Sequence, residues 1–154
     1  HLNYVGRLDR HSEGLILMTN DGNVSQTLTH PKHKIEKEYV VTIDRPLERE
    51  HAEKMVNGVH TSEGVARAER SETMSRSRVS MVLKQGLKRQ IRLMFAKFDY
   101  KVKKLVRVRI GVLIAPNLKP GDWVELDEEG ISLAMENPPA GVTTGDVERT
   151  IKRS

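Results

Sequence analysis

The sequence contains no cysteine, and aromatic residues make up only 4% of its 154 residues. Without cysteine, neither a disulfide framework nor a thiolate metal site can form. A chain of this kind suits a reducing compartment, and we expect a cytoplasmic protein. No apolar run is long enough to cross a bilayer and no signal peptide is visible, so we expect no membrane partner.

Positive charge is concentrated in one part of the chain. The net charge is +5, yet residues 84–109 hold ten basic residues against the single acidic residue Asp99, a local charge of +9. The remaining residues therefore carry a net charge of −4. Such asymmetry is typical of a face that binds a polyanion, although a solvated basic surface would give the same pattern. A membrane surface is a weaker alternative, because no basic amphipathic helix carries large exposed aromatic side chains.

The length fits one domain, and its hydrophobic pattern mixes strands with short helices. Apolar runs or alternation predict strands at 15–19, 36–44, 78–84 and 102–113, a surface hairpin within 59–76 and an edge strand after the turn at 120–122. Helical spacing predicts helices at 23–29, 48–57, 91–98 and 131–135. We therefore predict an α+β fold, a mostly antiparallel sheet with flanking helices. The domain would span residues 1–136, and residues 137–154, rich in Pro, Gly and Thr, would form a flexible tail.

The most informative stretch is residues 5–14, Val-Gly-Arg-Leu-Asp-Arg-His-Ser-Glu-Gly. It places Asp9 between Arg7 and Arg10, and two cations beside a carboxylate favour its ionised form. Such a carboxylate can act as a nucleophile or a base. The flanking glycines Gly6 and Gly14 allow sharp bends and the close approach of a large ligand. A structural ion pair on a loop is the alternative interpretation.

This stretch resembles the signature of pseudouridine synthases that act on ribosomal RNA, in particular their RsuA-type branch. The resemblance is carried by Gly6-Arg7-Leu8-Asp9, by Ser12-Glu13-Gly14-Leu15 and by Thr19-Asn20-Asp21-Gly22, and it extends to about Leu126. It implies the pseudouridine synthase fold, with Asp9 as the catalytic nucleophile. In that family a strand with Asn-Lys-Pro and a small RNA-binding domain come before this motif. Because this chain starts with His-Leu-Asn, we expect an earlier part to be missing.

Three further motifs of the family are similar to segments of this chain. Lys37-Glu38-Tyr39-Val40-Val41 resembles the motif whose Tyr lines the active site, which implies that role for Tyr39. Lys88 to Met94 resembles the motif whose last Arg pairs with the catalytic Asp, which sets Arg92 against Asp9. Leu105 to Gly111 resembles the closing motif, so Leu105 would line the base pocket. Departures from the family are Lys88 where Asn is usual and Leu93 where a second Arg is usual.

Basic residues around these motifs are the candidates for RNA contacts. We expect Arg7, Arg10, Lys88, Arg89 and Arg107 to hold phosphates that flank the target nucleotide. In the strand at 102–113, Leu105, Arg107 and Arg109 share one face. A leucine beside two arginines suits a cleft wall that packs on a base while the arginines meet phosphates.

The predicted function is isomerisation of a specific uridine to pseudouridine in ribosomal RNA by a monomeric enzyme. A redox-neutral glycosyl rearrangement needs no metal, nucleotide or flavin, so we expect no cofactor. His30 and His33 have no third ligand at a suitable spacing, and we expect them to have loop roles. Two alternatives remain: a non-catalytic RNA-binding module of the same fold, and a hydrolase that pairs Asp9 with Glu13, for which no general acid is evident.

Overall fold

A computed structural model of the chain describes residues 2–114 and 118–139. The elements of these two ranges follow in chain order: β1 Asn3–Val5, β2 Glu13–Gly14, β3 Leu17–Thr19, α1 Gly22–Thr29, a 3-10 helix Pro31–His33, β4 Lys37–Ile43, α2 Arg49–Asn57, β5 Val59–Thr61, β6 Gly64–Ala66, β7 Arg70–Ser75, β8 Arg78–Leu83, α3 Gln90–Lys97, β9 Val102–Ile110, β10 Leu113–Ile114 and α4 Glu128–Ala134. No helix within the described ranges has both the length and the apolar character needed to span a membrane.

The main sheet has six strands and is almost entirely antiparallel. Its order is β10-β9-β4-β8-β7, and each neighbouring pair is antiparallel. The two-residue strand β2 adds to β9 in the parallel sense. Two small sheets, β1 with β3 and β5 with β6, complete the strand pairing of the described residues. The predicted α+β class with a mostly antiparallel sheet is confirmed.

The main core lies between one face of this sheet and the helices α2 and α3. Met55 of α2 and Phe95 of α3 are fully buried, and they belong to one cluster with Val41 of β4 and Met81 of β8. The helix predicted at 91–98 forms as α3, and its Ile91, Met94 and Phe95 are all buried in this cluster. This core fixes the position of α3, which carries Arg92.

A second, smaller core fastens the N-terminal part of the chain to one end of the sheet. It consists of residues from five different segments: Val5, Leu28, Ile35, Ile110 and Ala134. Helix α1 is fixed locally as well, because the Asp21 side chain accepts a hydrogen bond from the amide of Asn23 at 2.8 Å and caps the helix. Because Val5 ends β1, this cluster anchors the start of the loop that carries Asp9.

A buried charge network crosses the sheet where β4 lies beside β9. Arg109 is 1% exposed and its Nη2 lies 3.2 Å from Glu36 Oε2 and 3.3 Å from Glu38 Oε1. Glu38 also pairs with Arg70 of β7 at 3.4 Å. Removing one partner of such a network leaves an uncompensated buried charge, at a cost of about 3–5 kcal/mol. Arg109 therefore has a structural role, and the prediction that it meets phosphates on a cleft wall is wrong.

Three predicted segments differ in the structure. Residues 15–19 do not form a buried strand: β3 pairs only with β1, and Met18 is 48% exposed. No strand forms at 120–126, where the chain is irregular and Trp123 is 82% exposed. Residues 70–75 join the main sheet as its edge strand β7 instead of staying in a surface hairpin. In each case the local pattern carried no information on long-range pairing.

The predicted tail begins with an anchored residue. Asn137 donates from Nδ2 to the Lys34 oxygen at 2.9 Å and accepts from the Glu36 amide at 2.7 Å. These two bonds tie the segment after α4 to the entry of β4. Residues 140–154, most of the predicted tail, lie outside the described residues.

Candidate active site

Asp9 lies on the loop between β1 and β2. The loop leaves β1 through Gly6, which has a φ of 71° that favours glycine. It then turns at Asp9, whose main-chain oxygen accepts a hydrogen bond from the Ser12 amide at 2.9 Å. The Asp9 side chain is partly exposed. This position leaves the carboxylate free to meet a ligand from solvent.

The two arginines next to Asp9 in the sequence form no ion pair with its carboxylate in the described ranges. Arg7 and Arg10 are both exposed, and in the ranges that the structure describes no cation lies within ion-pair distance of the Asp9 carboxylate. The expected enclosure of Asp9 by its neighbours in sequence is therefore not formed. Both arginines instead present their charge outward, where RNA phosphates could reach them.

The C-terminal end of the loop is bound tightly to β9. Gly14 lies opposite Arg107 in the parallel pairing, and the Leu15 amide donates to the Arg107 oxygen at 2.9 Å. A Cβ atom at Gly14 would lie 2.1 Å from that same oxygen, and the φ of Gly14 is 108°. Only glycine permits this approach of β2 to β9. The requirement for Gly14 is thus a close contact of the backbone with the protein itself.

Arg92 of α3 reaches the same loop from the other side. Its Nη2 donates to the His11 oxygen at 2.9 Å, two residues after Asp9. The predicted ion pair between Arg92 and Asp9 is not formed, because the guanidinium is engaged with the main chain. The Nε atom of Arg92 is buried and has no hydrogen-bond partner among the described residues. Arg92 therefore lies beside Asp9 with unused donor capacity.

Tyr39 and Arg107 face each other on adjacent strands below this loop. They are direct neighbours in the pairing of β4 with β9. Tyr39 is half-buried and packs against the edge of the main core. This position is compatible with the predicted role of Tyr39 beside the target base, with the ring partly accessible and backed by the core.

Arg107 is not a surface residue. It is 3% exposed, and its Nε donates to the Leu15 oxygen at 2.8 Å. The expected surface position of Arg107 is corrected by this burial: Arg107 ties β9 to the segment that follows Asp9. Its Nη2 atom is buried without a hydrogen-bond partner in the described part of the chain.

Leu105 belongs to the core. It is 4% exposed and packs in the main cluster opposite Val41 of β4. A side chain with so little exposed surface contributes mainly to packing. In this structure the predicted wall of the base pocket at Leu105 is covered by the protein's own side chains.

Lys37 lies near Tyr39 and Arg107, although its sequence pattern did not single it out. It lies on β4 two positions before Tyr39, so the two side chains share a face of the strand. Burial, together with the positive charge of Arg107, lowers the pKa of the Lys37 ammonium below its ordinary value of 10.5. The alternation of Lys37 with Tyr39 was a usable signal, but a lysine next to two glutamates in sequence suggests a solvated strand end.

The loop before α3 presents Lys88 and Arg89, which are both exposed as predicted. Arg89 has a φ of 53°, which is strained for a residue with a Cβ. The buried side chain of Gln90 holds this conformation, since its Oε1 accepts from the Leu87 amide at 3.3 Å and its Nε2 donates to Gln85 Oε1 at 2.9 Å. The sequence offered no sign that Gln90 is buried.

Other features of the surface have no part in this arrangement. Among the described residues, no three His, Asp or Glu side chains are placed to hold a metal ion. His30 accepts a hydrogen bond from the Lys32 amide at 3.2 Å and caps the 3-10 helix, which is the loop role we expected. A shallow groove lined by residues of α2 and by Ser71 contains none of the site residues.

Comparison with known proteins identifies the family. The family model described as RNA pseudouridylate synthase matches residues 1–97, which is more than half of the chain. The chain belongs to this family. An uncharacterized RNA pseudouridine synthase of Aquifex aeolicus is 38% identical over 128 residues, which are 82% of this chain and 53% of that protein.

Two further relatives carry more specific names. The ribosomal large subunit pseudouridine synthase B of Buchnera aphidicola is 35% identical over 135 residues, covering 83% of this chain and 54% of that protein. The ribosomal small subunit pseudouridine synthase A of Escherichia coli is 35% identical over 134 residues, with coverages of 85% and 58%. The predicted membership in the RsuA-type branch is confirmed by these matches.

A solved structure shares the fold. A crystal structure of a pseudouridylate synthase superposes with a TM-score of 0.81 at 32% identity, covering 86% of this chain and 59% of that chain. The predicted pseudouridine synthase fold is therefore confirmed. The chain spans little more than half the length of the relatives that it matches.

Proposed function

We propose that this chain carries the catalytic domain of an enzyme that isomerises uridine to pseudouridine in ribosomal RNA. The observation that supports it most is the position of Asp9 on a loop that is held at two points. A partly exposed carboxylate without an ion-pair partner among the described residues lies on a loop that Arg92 and β9 fix from two sides. A nucleophile must be positioned by the protein and remain accessible to the substrate. A surface carboxylate with only a structural role would need no such support.

The reaction begins with access to the base. Because the target atoms are hidden inside a stack, the uridine must be flipped out into the site. Asp9 then attacks either the anomeric carbon of the ribose or the pyrimidine ring, and the bond between N1 and the anomeric carbon breaks. The base turns, its C5 bonds to the anomeric carbon, and the bond to Asp9 is released. The proton on C5 is lost and N1 gains a proton, so the product is an isomer of the substrate. Tyr39, backed by the core, confines the base during this turn. Arg92, bonded to the main chain of the same loop at His11, keeps the Asp9 carboxylate in position.

The RNA backbone is held by the exposed basic residues around Asp9 and before α3. Arg7, Arg10, Lys88 and Arg89 are all exposed, and each can neutralise one phosphate. The exposed lysines at 97, 101, 103 and 104 extend the positive surface along the chain. We take ribosomal RNA as the substrate because relatives at 35% identity are named for the small and large ribosomal subunits. For such a substrate we place the enzyme in the cytoplasm, acting as a monomer.

Replacing the nucleophile tests this function. Asp9→Asn keeps the shape of the side chain and removes its nucleophilic oxygen, so pseudouridine formation should fall to background while RNA binding persists. The assay maps pseudouridine chemically in small- and large-subunit ribosomal RNA after incubation with the parent or the variant. Glu13→Gln is the matched control, because Glu13 is an exposed carboxylate of the same segment and would be required in a hydrolase.

The outcomes separate the candidate functions. Product from Asp9→Asn at the parent's rate would exclude Asp9 as the nucleophile. A parent chain that binds RNA but yields no product with either RNA would favour the non-catalytic module. Loss of activity in Glu13→Gln equal to that in Asp9→Asn would favour the two-carboxylate hydrolase, in which case free base should appear in place of pseudouridine.

A further inference from the structure

Lys37 and Arg107 place two cations together on the face of the sheet below the Asp9 loop. Arg107 is the direct neighbour of Tyr39 across the β4–β9 pairing, and Lys37 lies two residues before Tyr39 on the same face. The two cations interact electrostatically, and Arg107 also holds the Leu15 oxygen of the segment after Asp9. Both cations therefore lie on the face of the sheet that carries Tyr39.

Neither cation is neutralised by the described part of the protein. The nearest acidic residues in sequence, Glu36 and Glu38, point to the other face, where both pair with Arg109. Among the described residues, no carboxylate forms an ion pair with Lys37 or Arg107. Arg107 is 3% exposed, yet its Nη2 has no hydrogen-bond partner there. A buried guanidinium with one unpaired nitrogen beside a second cation is costly unless an anion joins them.

We propose that Lys37 and Arg107 form an anion site that binds a backbone phosphate of the RNA next to the flipped nucleotide. The identity of the anion rests on the proposed function. Arg107 offers the unpaired Nη2 donor and Lys37 an ammonium with three donors, a combination suited to the oxygens of one phosphate. A phosphate held there would anchor the backbone beside Tyr39 while the base is rotated. The exposed arginines at 7 and 10 would hold flanking phosphates further out.

The site can be tested without the reaction. The chain is prepared with carbon-13 at the lysine ε position, and the Lys37 signal is assigned by its disappearance in Lys37→Gln and Lys37→Arg. The parent is titrated with uridine 5′-monophosphate, inorganic phosphate and uridine in parallel. We expect the Lys37 signal to move with both phosphate compounds and to stay in place with uridine. Equal shifts with uridine and uridine 5′-monophosphate, or no shift with either, would overturn the anion site.

RNA binding tests the identity of the anion. A single-stranded uridine-containing oligonucleotide is bound at several salt concentrations by the parent, Lys37→Gln, Lys37→Arg and the control Lys32→Gln, which removes an exposed lysine of the 3-10 helix. Loss of one phosphate contact should flatten the log–log salt slope by about 0.7 in Lys37→Gln. Lys37→Arg should restore most of it, and Lys32→Gln should keep the parent's slope. A Lys37→Gln slope equal to the parent's would refute the assignment to the RNA backbone.

The same preparations separate this inference from the proposed function. A parent that makes no pseudouridine, but whose Lys37 signal follows phosphate and whose slope falls on substitution, supports the anion site and refutes the enzymatic proposal. If the parent makes pseudouridine but its Lys37 signal does not shift with phosphate, the anion site is refuted and the enzymatic proposal is unaffected. Circular dichroism of each variant confirms that it is folded before binding is compared.

Discussion

Arg92 of α3 donates a hydrogen bond from Nη2 to the main-chain oxygen of His11 across 2.9 Å, two residues from Asp9. The helix itself is immobilised by Ile91, Met94 and Phe95 in the main core. A rigid helix thereby holds a loop with little packing of its own. Because the bond goes to the backbone and not to the carboxylate, Arg92 can fix the loop and still leave Asp9 open to substrate.

Removing this support should reduce catalysis more than folding. A hydrogen bond from a charged donor contributes about 1.5–3 kcal/mol, so Arg92→Ala should lower kcat/KM for pseudouridine formation by roughly 10- to 100-fold. Arg92→Lys should recover only part of the activity, because an ammonium cannot reproduce the planar fork of a guanidinium. Hydrogen exchange of the amides in residues 6–12 should become faster in both variants.

The control for this experiment is Arg49→Ala, which removes an exposed arginine of α2 and should keep the parent's activity. If Arg92→Ala retained full activity with unchanged exchange in residues 6–12, neither the support of the loop nor the aiming of Asp9 could be assigned to Arg92.

The contact of Gly14 with β9 gives a second prediction. A Cβ atom at Gly14 would lie 2.1 Å from the Arg107 oxygen, so Gly14→Ala must push β2 away from β9 and move the Asp9 loop. We expect a loss of unfolding free energy larger than about 1 kcal/mol. A displacement of about 1 Å at a reacting group can cost about 100-fold in rate, and we expect a loss of that order in kcat.

Gly86→Ala is the matched control, since no atom lies within 4 Å of a Cβ built there. It should leave activity and stability close to those of the parent. A Gly14→Ala protein with the parent's melting temperature and activity would mean that β2 does not pair with β9 in solution.

The strand β9 shows what the sequence could predict and what it could not. All three predicted inward residues, Leu105, Arg107 and Arg109, are buried. They do not share one face, because an irregularity in the pairing sets Arg107 opposite Tyr39 but Arg109 opposite Glu38. The sequence could not say what covers them. Arg109 meets Glu36 and Glu38 through a pairing with β4 that spans some seventy residues, and Arg107 meets the oxygen of Leu15 from still further away. Arginines on a strand suggest a polyanion-binding face unless these distant acceptors are known.

The sequence predicted an element correctly where that element depends on residues close to one another in the chain. The Asp21 cap of α1 and the apolar stripe of α3 depend on neighbours within one turn, and both helices form where their patterns predicted. The Asp9 motif identified the loop through its resemblance to a known family. Its geometry could not be predicted from the sequence, because Arg92 reaches the loop from a helix 81 residues later in the chain.

Leu105→Ala distinguishes a core residue from a pocket wall. Because Leu105 is 4% exposed within the main cluster, truncation should lower the unfolding free energy by about 2–5 kcal/mol. Chemical denaturation followed by circular dichroism measures this loss. Val108→Ala on the same strand removes a half-buried side chain and should cost less. A Leu105→Ala protein of unchanged stability that turns over slowly would restore the role of Leu105 in the base pocket.

Lys37 makes the stability of the protein depend on alkaline pH in a specific direction. Its pKa is lowered in the folded chain by burial and by Arg107, while in the unfolded chain it returns to about 10.5. Below the lowered pKa, Lys37 is charged in both states, and its charge disfavours the folded state. As pH rises through the lowered pKa towards 10.5, the unfolded state binds more protons than the folded state, so stability rises.

The variant Lys37→Met lacks this group. Its advantage in unfolding free energy over the parent should therefore shrink as pH rises through the lowered pKa up to 10.5, measured by urea denaturation at each pH. Val40→Ala on the same strand should differ from the parent by the same amount at every pH. A gap between Lys37→Met and the parent that stayed constant from neutral pH upward would mean that Lys37 is equally protonated in the folded and unfolded chains, without the buried repulsion from Arg107.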